Sequence, residues 1–303
     1  MSYDTAGDPI TGLKWTHRTT EKLSEELKNA GILVCSRTVA RLLEKMKFAL
    51  RVNHKKKSTI SKPQRNEQFE YIGQKRQAFE GQGRPVVSVD SKKKEMIGEF
   101  KNPGRVWTQT AIAVNDHDFL RDAKGIALPR GLYDTTANRG HVCVGISHDT
   151  PAFAVDALVE WWKDEGRQRY PKAGHLLLLA DSGGSNAARS RVWKVRLQTE
   201  FCNPYRLTVT VCHYPPGASK WDPIEHRLFS EISKNWAGQP LNSYETALNY
   251  IRTTKTKTGL VVNAKILKGH YPTGMRASDE EMTNINLRRH DVLPDWNYTI
   301  APN

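Results

Sequence analysis

The chain has 303 residues, and 46 Lys+Arg against 32 Asp+Glu give it a formal net charge of +14 and a pI near 9.6. So basic a chain draws in polyanions and releases counterions on binding, while no apolar run approaches the roughly 18 residues of a membrane span and no apolar secretory stretch opens the chain. Cys35, Cys143, Cys202 and Cys212 show no Cys-x-x-Cys spacing, which argues against a zinc ribbon or finger and reads as free, mostly buried thiols of a cytosolic protein.

Residues 1–14 carry little pattern and are expected to form a disordered leader. Thr20 opens TEKLSEELKNA, which carries Leu23 and Leu27 on one helical face and stops at Gly31, a favoured residue just past a helix end. Ser36 is the candidate N-cap of a second helix, SRTVARLLEKM, with Val39, Leu42, Leu43 and Met46 on its buried side. FALRVNHKKK then reads as a short strand and a basic turn. Two short helices and a basic hairpin predict a small winged helix-turn-helix over residues 15–62, its second helix entering the major groove of double-stranded DNA. Arg37, Thr38 and Arg41 are the exposed residues near the start of that helix, and Arg51, Lys55, Lys56 and Lys57 form its basic tail. Residues 1–84 hold 17 Lys+Arg against 9 Asp+Glu, which concentrates the surplus charge at this end.

Residues 63–84 read as a linker helix, with Phe69, Ile72 and Phe79 as a packing stripe, and GQGRP at 81–85 marks the boundary of a domain over 85–303. Strands are expected at 86–90, 92–100, 106–114 and 141–147, then a helix over 151–162 with Pro151 at its first position. A strand at 175–181, a helix at 188–200, a strand at 207–213 and a helix at 222–236 follow. A meander of strands and then alternating helix and strand is the ribonuclease-H-like order: an α/β fold with a mixed sheet and flanking helices.

Within this order, carboxylates close three apolar runs. Asp90 ends PVVSVD, Asp181 ends HLLLLAD, and Glu225 lies just past LTVTVCHY in HYPPGASKWDPIEH. A carboxylate at a strand end points out of the core, where it can meet others. Such oxygen ligands suit Mg²⁺ or Mn²⁺, and two such ions about 4 Å apart can activate a water or a 3′-hydroxyl and stabilise the leaving oxygen of a phosphodiester. Asp222 rivals Glu225, because at i, i+3 on one helix the two share a face, so that one can bind metal while the other caps. Around these, Lys92, Lys93 and Lys94 are candidates for phosphate contact, His213 and His226 for orienting a carboxylate, and Trp221 and Trp236 for packing or stacking on a base. The glycines of SGGSN, after Asp181, would let a DNA backbone approach.

The segment HYPPGASKWDPIEHRLFSEISKNW resembles the "PPYSP…NPIE" segment of mariner-like DDE transposases. Together with SVDSKKKE, HDTPAFAVDALVEWW, ADSGGSNAARSRVWK and KTGLVVNAKILKGHYPTG, it is similar to bacterial insertion-sequence transposases of the Rhodopirellula type, from about Trp15 to the C-terminus. The resemblance implies that Asp90, Asp181 and Glu225 are the catalytic ligands of two Mg²⁺ (or Mn²⁺) ions, with Asn often standing where this chain has Asp222. It further implies a DNA transposase that binds the ends of its own element and joins the freed 3′-hydroxyl to target DNA. A homodimer on DNA, at the nucleoid of the bacterial cytoplasm, goes with that role. The alternatives are a metal-dependent nuclease of the same fold, or a truncated and inactive DNA-binding remnant, since members of the family usually carry more residues ahead of Trp15.

Overall fold

A computed structural model describes residues 5–7, 14–16, 18–51 and 61–303, and the chain divides into two units, Met1–Lys56 and Lys57–Asn303. In the first unit β1 (Thr5–Gly7) pairs antiparallel with β2 (Lys14–Thr16), so residues 5–7, expected in a disordered leader, are in a strand. Helix α1 (Thr20–Asn29) is capped by Thr19, whose hydroxyl accepts the Lys22 amide, and it ends before Gly31 at φ +81. Helix α2 (Ser36–Lys45) begins one residue past its cap, which is Cys35 rather than the expected Ser36. Its apolar stripe is only partly covered: Val39 is buried, while Leu42 and Met46 stay exposed. No strand forms over 48–51, and the basic turn expected after it, with Lys55, Lys56 and Lys57, lies outside the described residues.

The second unit is a nine-stranded mixed sheet with helices on both faces. Its strands are β3 (Val86–Ser91), β4 (Glu95–Ile97), β5 (Gly125–Asp134), β6 (Arg139–Gly145), β7 (His175–Ala180), β8 (Thr208–His213), β9 (Val261–Leu267), β10 (Leu287–Arg289) and β11 (Asn297–Ile300). They lie in the order β10-β11-β8-β7-β3-β5-β6-β9, with β4 beside β5. At the centre, β3, β5 and β6 form an antiparallel meander, and β7 and β8 add parallel to β3.

The run of leucines in β7 shows why the centre is dry on both sides. Successive side chains alternate between faces, and a sheet covered on both faces reads as continuous apolar sequence. Leu176, Leu178 and Ala180 pack with Phe153, Leu158 and Trp193 on one face. Leu177 and Leu179 pack with Ile72 and Phe79 on the other. The first face is covered by α4 (Pro151–Trp161), capped by the Thr150 hydroxyl, and by the helix Arg191–Arg196. Helix α3 (Lys62–Gly81), expected as a linker, lies on the opposite face. Its buried Gln68 donates to the His213 carbonyl and to Asn297 Oδ1, both at 2.8 Å, which fixes it to β8 and β11.

One expected strand is misplaced. Residues 106–114 alternate like a strand but stay outside the sheet, with Trp107 fully exposed. The meander uses β5 instead, whose pattern is disguised by Pro129, Arg130 and Gly131 in mid-strand. Proline is tolerated there because β3 ends at Ser91 opposite Arg130, while β4 starts at Glu95 opposite Ala127. Among the described residues, no helix is long and apolar enough to cross a membrane.

Gly131 sets how closely the segment after β8 can lie on the sheet. A Cβ at this position would stand 2.5 Å from the Phe229 ring and 3.0 Å from Ile224, closer than packed atoms tolerate. Gly131→Ala is therefore expected to destabilise the protein by about 1–3 kcal/mol through overpacking. Denaturant unfolding checks this, and an unchanged midpoint would show that the segment shifts freely.

Candidate active site

The parallel register of β3 and β7 places two of the predicted carboxylates together. Val89 stands opposite Ala180, so the next residues along, Asp90 and Asp181, leave the two strands side by side. Both line a small pocket of about 70 Å³ with Ser182, Tyr214, Asp222 and the loop 215–219. That is room for an ion and its waters.

Keeping two carboxylates in so dry a place raises the proton affinity of both, chiefly through burial. Burial, then the charge of Asp181, pushes Asp90 up to about 8. Burial likewise raises Asp181. Arg130 opposes both shifts. It is 2% exposed, stands opposite Ser91 on β5, and donates to Ser91 Oγ at 3.1 Å and Ser185 Oγ at 3.0 Å. The SGGSN turn folds back on the site itself: Asn186 Nδ2 donates to Asp181 Oδ1 at 3.2 Å, and Gly184 takes φ +64 to make the turn. His213 holds the Asp181 backbone. Its Nδ1 donates to the Asp181 carbonyl at 2.7 Å, leaving Nε2 to accept from Tyr298 Oη at 3.2 Å, and Tyr298 Oη in turn accepts from Trp193 Nε1. Burial lowers His213 to about 4, which keeps it neutral and fit for that arrangement.

The third carboxylate is where the two candidates part. Asp222 is buried, and its Oδ1 accepts from Ser88 Oγ at 2.5 Å and from the Ile224 amide at 3.2 Å. It thereby caps the following helical segment and ties it to β3; burial pushes it up to about 7. Glu225 is half-buried and opens a π-helical turn, Glu225–Phe229, ahead of the helix Ser230–Asn235. It does not line the pocket with Asp90 and Asp181; burial raises its proton affinity, which the neighbouring charges of His226 and Lys92 oppose and that of Asp181 increases. Among the described residues, no three His, Cys, Asp or Glu side chains are grouped to hold a metal ion. Asp90 and Asp181 nonetheless suit a hard cation, because Mg²⁺ commonly takes one or two protein carboxylates and fills its other positions with water and phosphate.

The remaining candidates fall in several places. Lys92 pairs with Glu95 at 2.6 Å and stands over Trp236, whereas Lys93 and Lys94 are exposed. Trp236 is buried, and Trp221 is half exposed against Phe69 and Arg65. His226 acts on Glu225 through its charge, while its Nε2 donates to the Lys220 carbonyl at 2.8 Å. In the first unit Arg37 and Arg41 are exposed one helical turn apart on α2, Arg51 is exposed, and the Thr38 hydroxyl lies 3.4 Å from Cys35 Sγ. Sequence reasoning missed Arg130 and Arg65. An arginine inside an otherwise apolar strand is the signal for the first, since arginine is almost never fully buried unless paired. Arg65 carries no such signal: it donates to the carbonyls of Pro216 and Gly217, holding the loop that walls the pocket.

A sequence model of the family described as "Rhodopirellula transposase DDE domain" matches residues 1–302. Solved structures similar to the chain include a Mos1 transposase paired-end complex with left transposon end, at 16% identity over 77% of this chain and 65% of that one, with a TM-score of 0.43. A pre-cleavage Mos1 transpososome matches at 15% identity over 77% and 66%, with a TM-score of 0.47. A mariner Mos1 paired-end complex with Mg matches at 16% identity over 77% and 65%, also with a TM-score of 0.47. This chain thus spans just under two thirds of the length of those proteins. No curated protein matches it.

The raised proton affinities of Asp90 and Asp222 carry a stability signature. A carboxyl that ionises at about 8 folded and near 4 unfolded binds more protons in the native state between those values. Its stabilisation is complete below about pH 4 and is lost as pH rises through the folded value. Metal-free protein should therefore lose melting temperature between pH 5 and pH 8, and Asp90→Asn should flatten that slope. Mg²⁺ should raise the melting temperature more at pH 8 than at pH 5. Parallel slopes for wild type and Asp90→Asn in thermal scans would contradict the assignment.

Proposed function

The chain belongs to the transposase DDE family of the Rhodopirellula type, and from that membership we propose that it is a metal-dependent DNA transposase with a ribonuclease-H-like catalytic unit. The observation that carries the reading is the pairing of Asp90 and Asp181 at the ends of adjacent parallel strands, beside one pocket walled by the PPG loop. Asp90, Asp181 and Glu225 would hold two Mg²⁺ or Mn²⁺ ions. Such ions, when bound, lower the pKa of an attacking water or 3′-hydroxyl and neutralise the leaving oxygen.

The chain's own groups serve this chemistry in separate ways. Asp90 and Asp181 supply the negative charge, and Arg130, held through Nη1 by Ser91 and Ser185, offsets part of their repulsion. His213 and Asn186 fix Asp181 from its backbone and side-chain sides. Asp222, through Ser88 and the Ile224 amide, sets where the segment bearing Glu225 begins. In the first unit, α1 and α2 are assigned to a winged helix-turn-helix that reads the element ends through Arg37, Thr38 and Arg41, with Arg51, Lys55, Lys56 and Lys57 on phosphates. Two copies would act on DNA together, because two ends must be brought to one target, in the bacterial cytoplasm at the nucleoid.

The test is metal-dependent cleavage and strand transfer on a labelled element end. Asp90→Asn, Asp181→Asn and Glu225→Gln should each abolish cutting and joining together while retaining end binding, because a neutral amide is a far poorer Mg²⁺ ligand than a carboxylate. Asp222→Asn should keep activity, since an amide oxygen can accept from Ser88 and Ile224. An active Glu225→Gln beside a dead Asp222→Asn would move the third ligand to Asp222, and cutting without joining would make the enzyme a nuclease. Arg41→Ala should weaken end binding by about 1–3 kcal/mol relative to random DNA, as removing a base-reading side chain does. An equal weakening on both would make Arg41 a phosphate ligand.

A further inference from the structure

A larger cavity, of about 740 Å³, opens beside the carboxylate pocket and shares Ser182 and Pro216 with it. Arg189, Arg191, Lys194 and Arg289 line it against a single carboxylate, Asp295. The arginines differ in how far they are engaged. Arg289 pairs with Asp295, Arg191 Nη2 donates to the Ser278 carbonyl at 2.9 Å and to Asp279, and Arg189 is exposed. Lys194 is the unusual member. It is only 6% exposed, its Nζ stands 5.0 Å from the centre of the Tyr298 ring, and no carboxylate of the described residues forms an ion pair with it. Burial and the neighbouring Arg289 charge both lower its proton affinity. A cation kept at that cost, facing a cavity with three more, points to an anionic ligand.

The shape and wall narrow the ligand class. The volume is that of a small-ligand cleft rather than of a surface for a duplex. Trp296 lines it beside the cations, and a basic groove with an aromatic wall is how proteins hold single-stranded nucleic acid, charge on phosphates and ring on base. Ser182 directly follows Asp181, so a strand lying in the cavity runs into the carboxylate pocket. We propose that this groove is a track for a single polynucleotide strand, in which Arg189, Lys194 and Arg289 contact its phosphates and Trp296 stacks on a base. The proposal rests on the transposase reading for the site at the groove's end, where the scissile phosphate would meet Asp90 and Asp181.

The test uses the full chain in metal-free buffer, with a short fluorescein-labelled oligothymidylate followed by anisotropy over a salt series. Removing one cation from a phosphate should make the slope of log K against log salt shallower by about 0.7. Arg189→Ala, at an exposed position that leaves the fold undisturbed, and Lys194→Met should each show that change. Trp296→Ala should weaken binding about 5- to 150-fold, the range for removing one base stack. Duplex element ends should bind all three variants as they bind wild type. Unchanged affinity and slope in Arg189→Ala and Lys194→Met would overturn the track, as would equal competition by polyglutamate, which would make the groove a site for acidic peptide. If wild type neither cuts nor joins DNA while the slopes still fall in the variants, the transposase reading fails and the track stands. Intact cutting with unchanged slopes removes the track alone.

Discussion

Two like charges must be held at neighbouring strand ends, and the rest of the second unit is arranged around that requirement. Asp90 and Asp181 leave β3 and β7 in register, in a setting dry enough to raise the proton affinity of both. A bare pair would shed a charge by taking up a proton. Arg130 moderates this from β5, the strand on the other side of β3. A guanidinium suits the place because it stays charged when buried and its fixed donors can be satisfied separately. Here one nitrogen serves Ser91 and Ser185, leaving the carboxylates with free lone pairs on the pocket side. The charge is balanced at a distance, and the oxygens stay available.

The wall of the pocket depends on contacts made far away in the chain. Arg65 of α3 reaches residues about 150 positions on, donating to Pro216 and Gly217, and its guanidinium lies against the touching rings of Phe69 and Trp221. Gln68, one turn along, binds the His213 carbonyl and Asn297. His213 then passes the constraint to Asp181. A helix that precedes the sheet in sequence thus holds the loop, the strand end and Asp181 in one connected set of polar contacts. Such a network is worth most when every member is satisfied, because a lone buried polar group is costly.

How much of this could be read from the residues depended on whether the signal was local. The apolar runs of β3, β7 and β8 announce buried strands, and the carboxylates closing the first two are visible without a structure. Strand β5 was not legible, because Pro129, Arg130 and Gly131 break its apolar pattern for reasons supplied by its neighbours: a gap between β3 and β4, a pair of carboxylates, and the Phe229 ring. Residues 106–114 show the converse, an alternation with no partner to pair with. The choice between Asp222 and Glu225 is likewise open to inspection of spacing alone; only the contacts of Asp222 with Ser88 and Ile224 reveal its structural duty. Arg65 could not be found, since nothing local distinguishes it from any exposed arginine on a helix.

The π-helical turn at Glu225–Phe229 has a consequence for how this protein can vary. A π turn holds one residue more than an α turn, and each residue of helix is worth about 100° of rotation. The direction of Glu225 relative to the helix Ser230–Asn235 is therefore governed by a count of residues rather than by their identities. The exposed His226 and Arg227 can drift with little effect on where the glutamate aims, whereas losing a single residue of the turn would regularise the helix and swing the carboxylate about its axis. Lineages of this chain should accordingly tolerate substitution at the exposed His226 and Arg227 of that turn and forbid a change of its length.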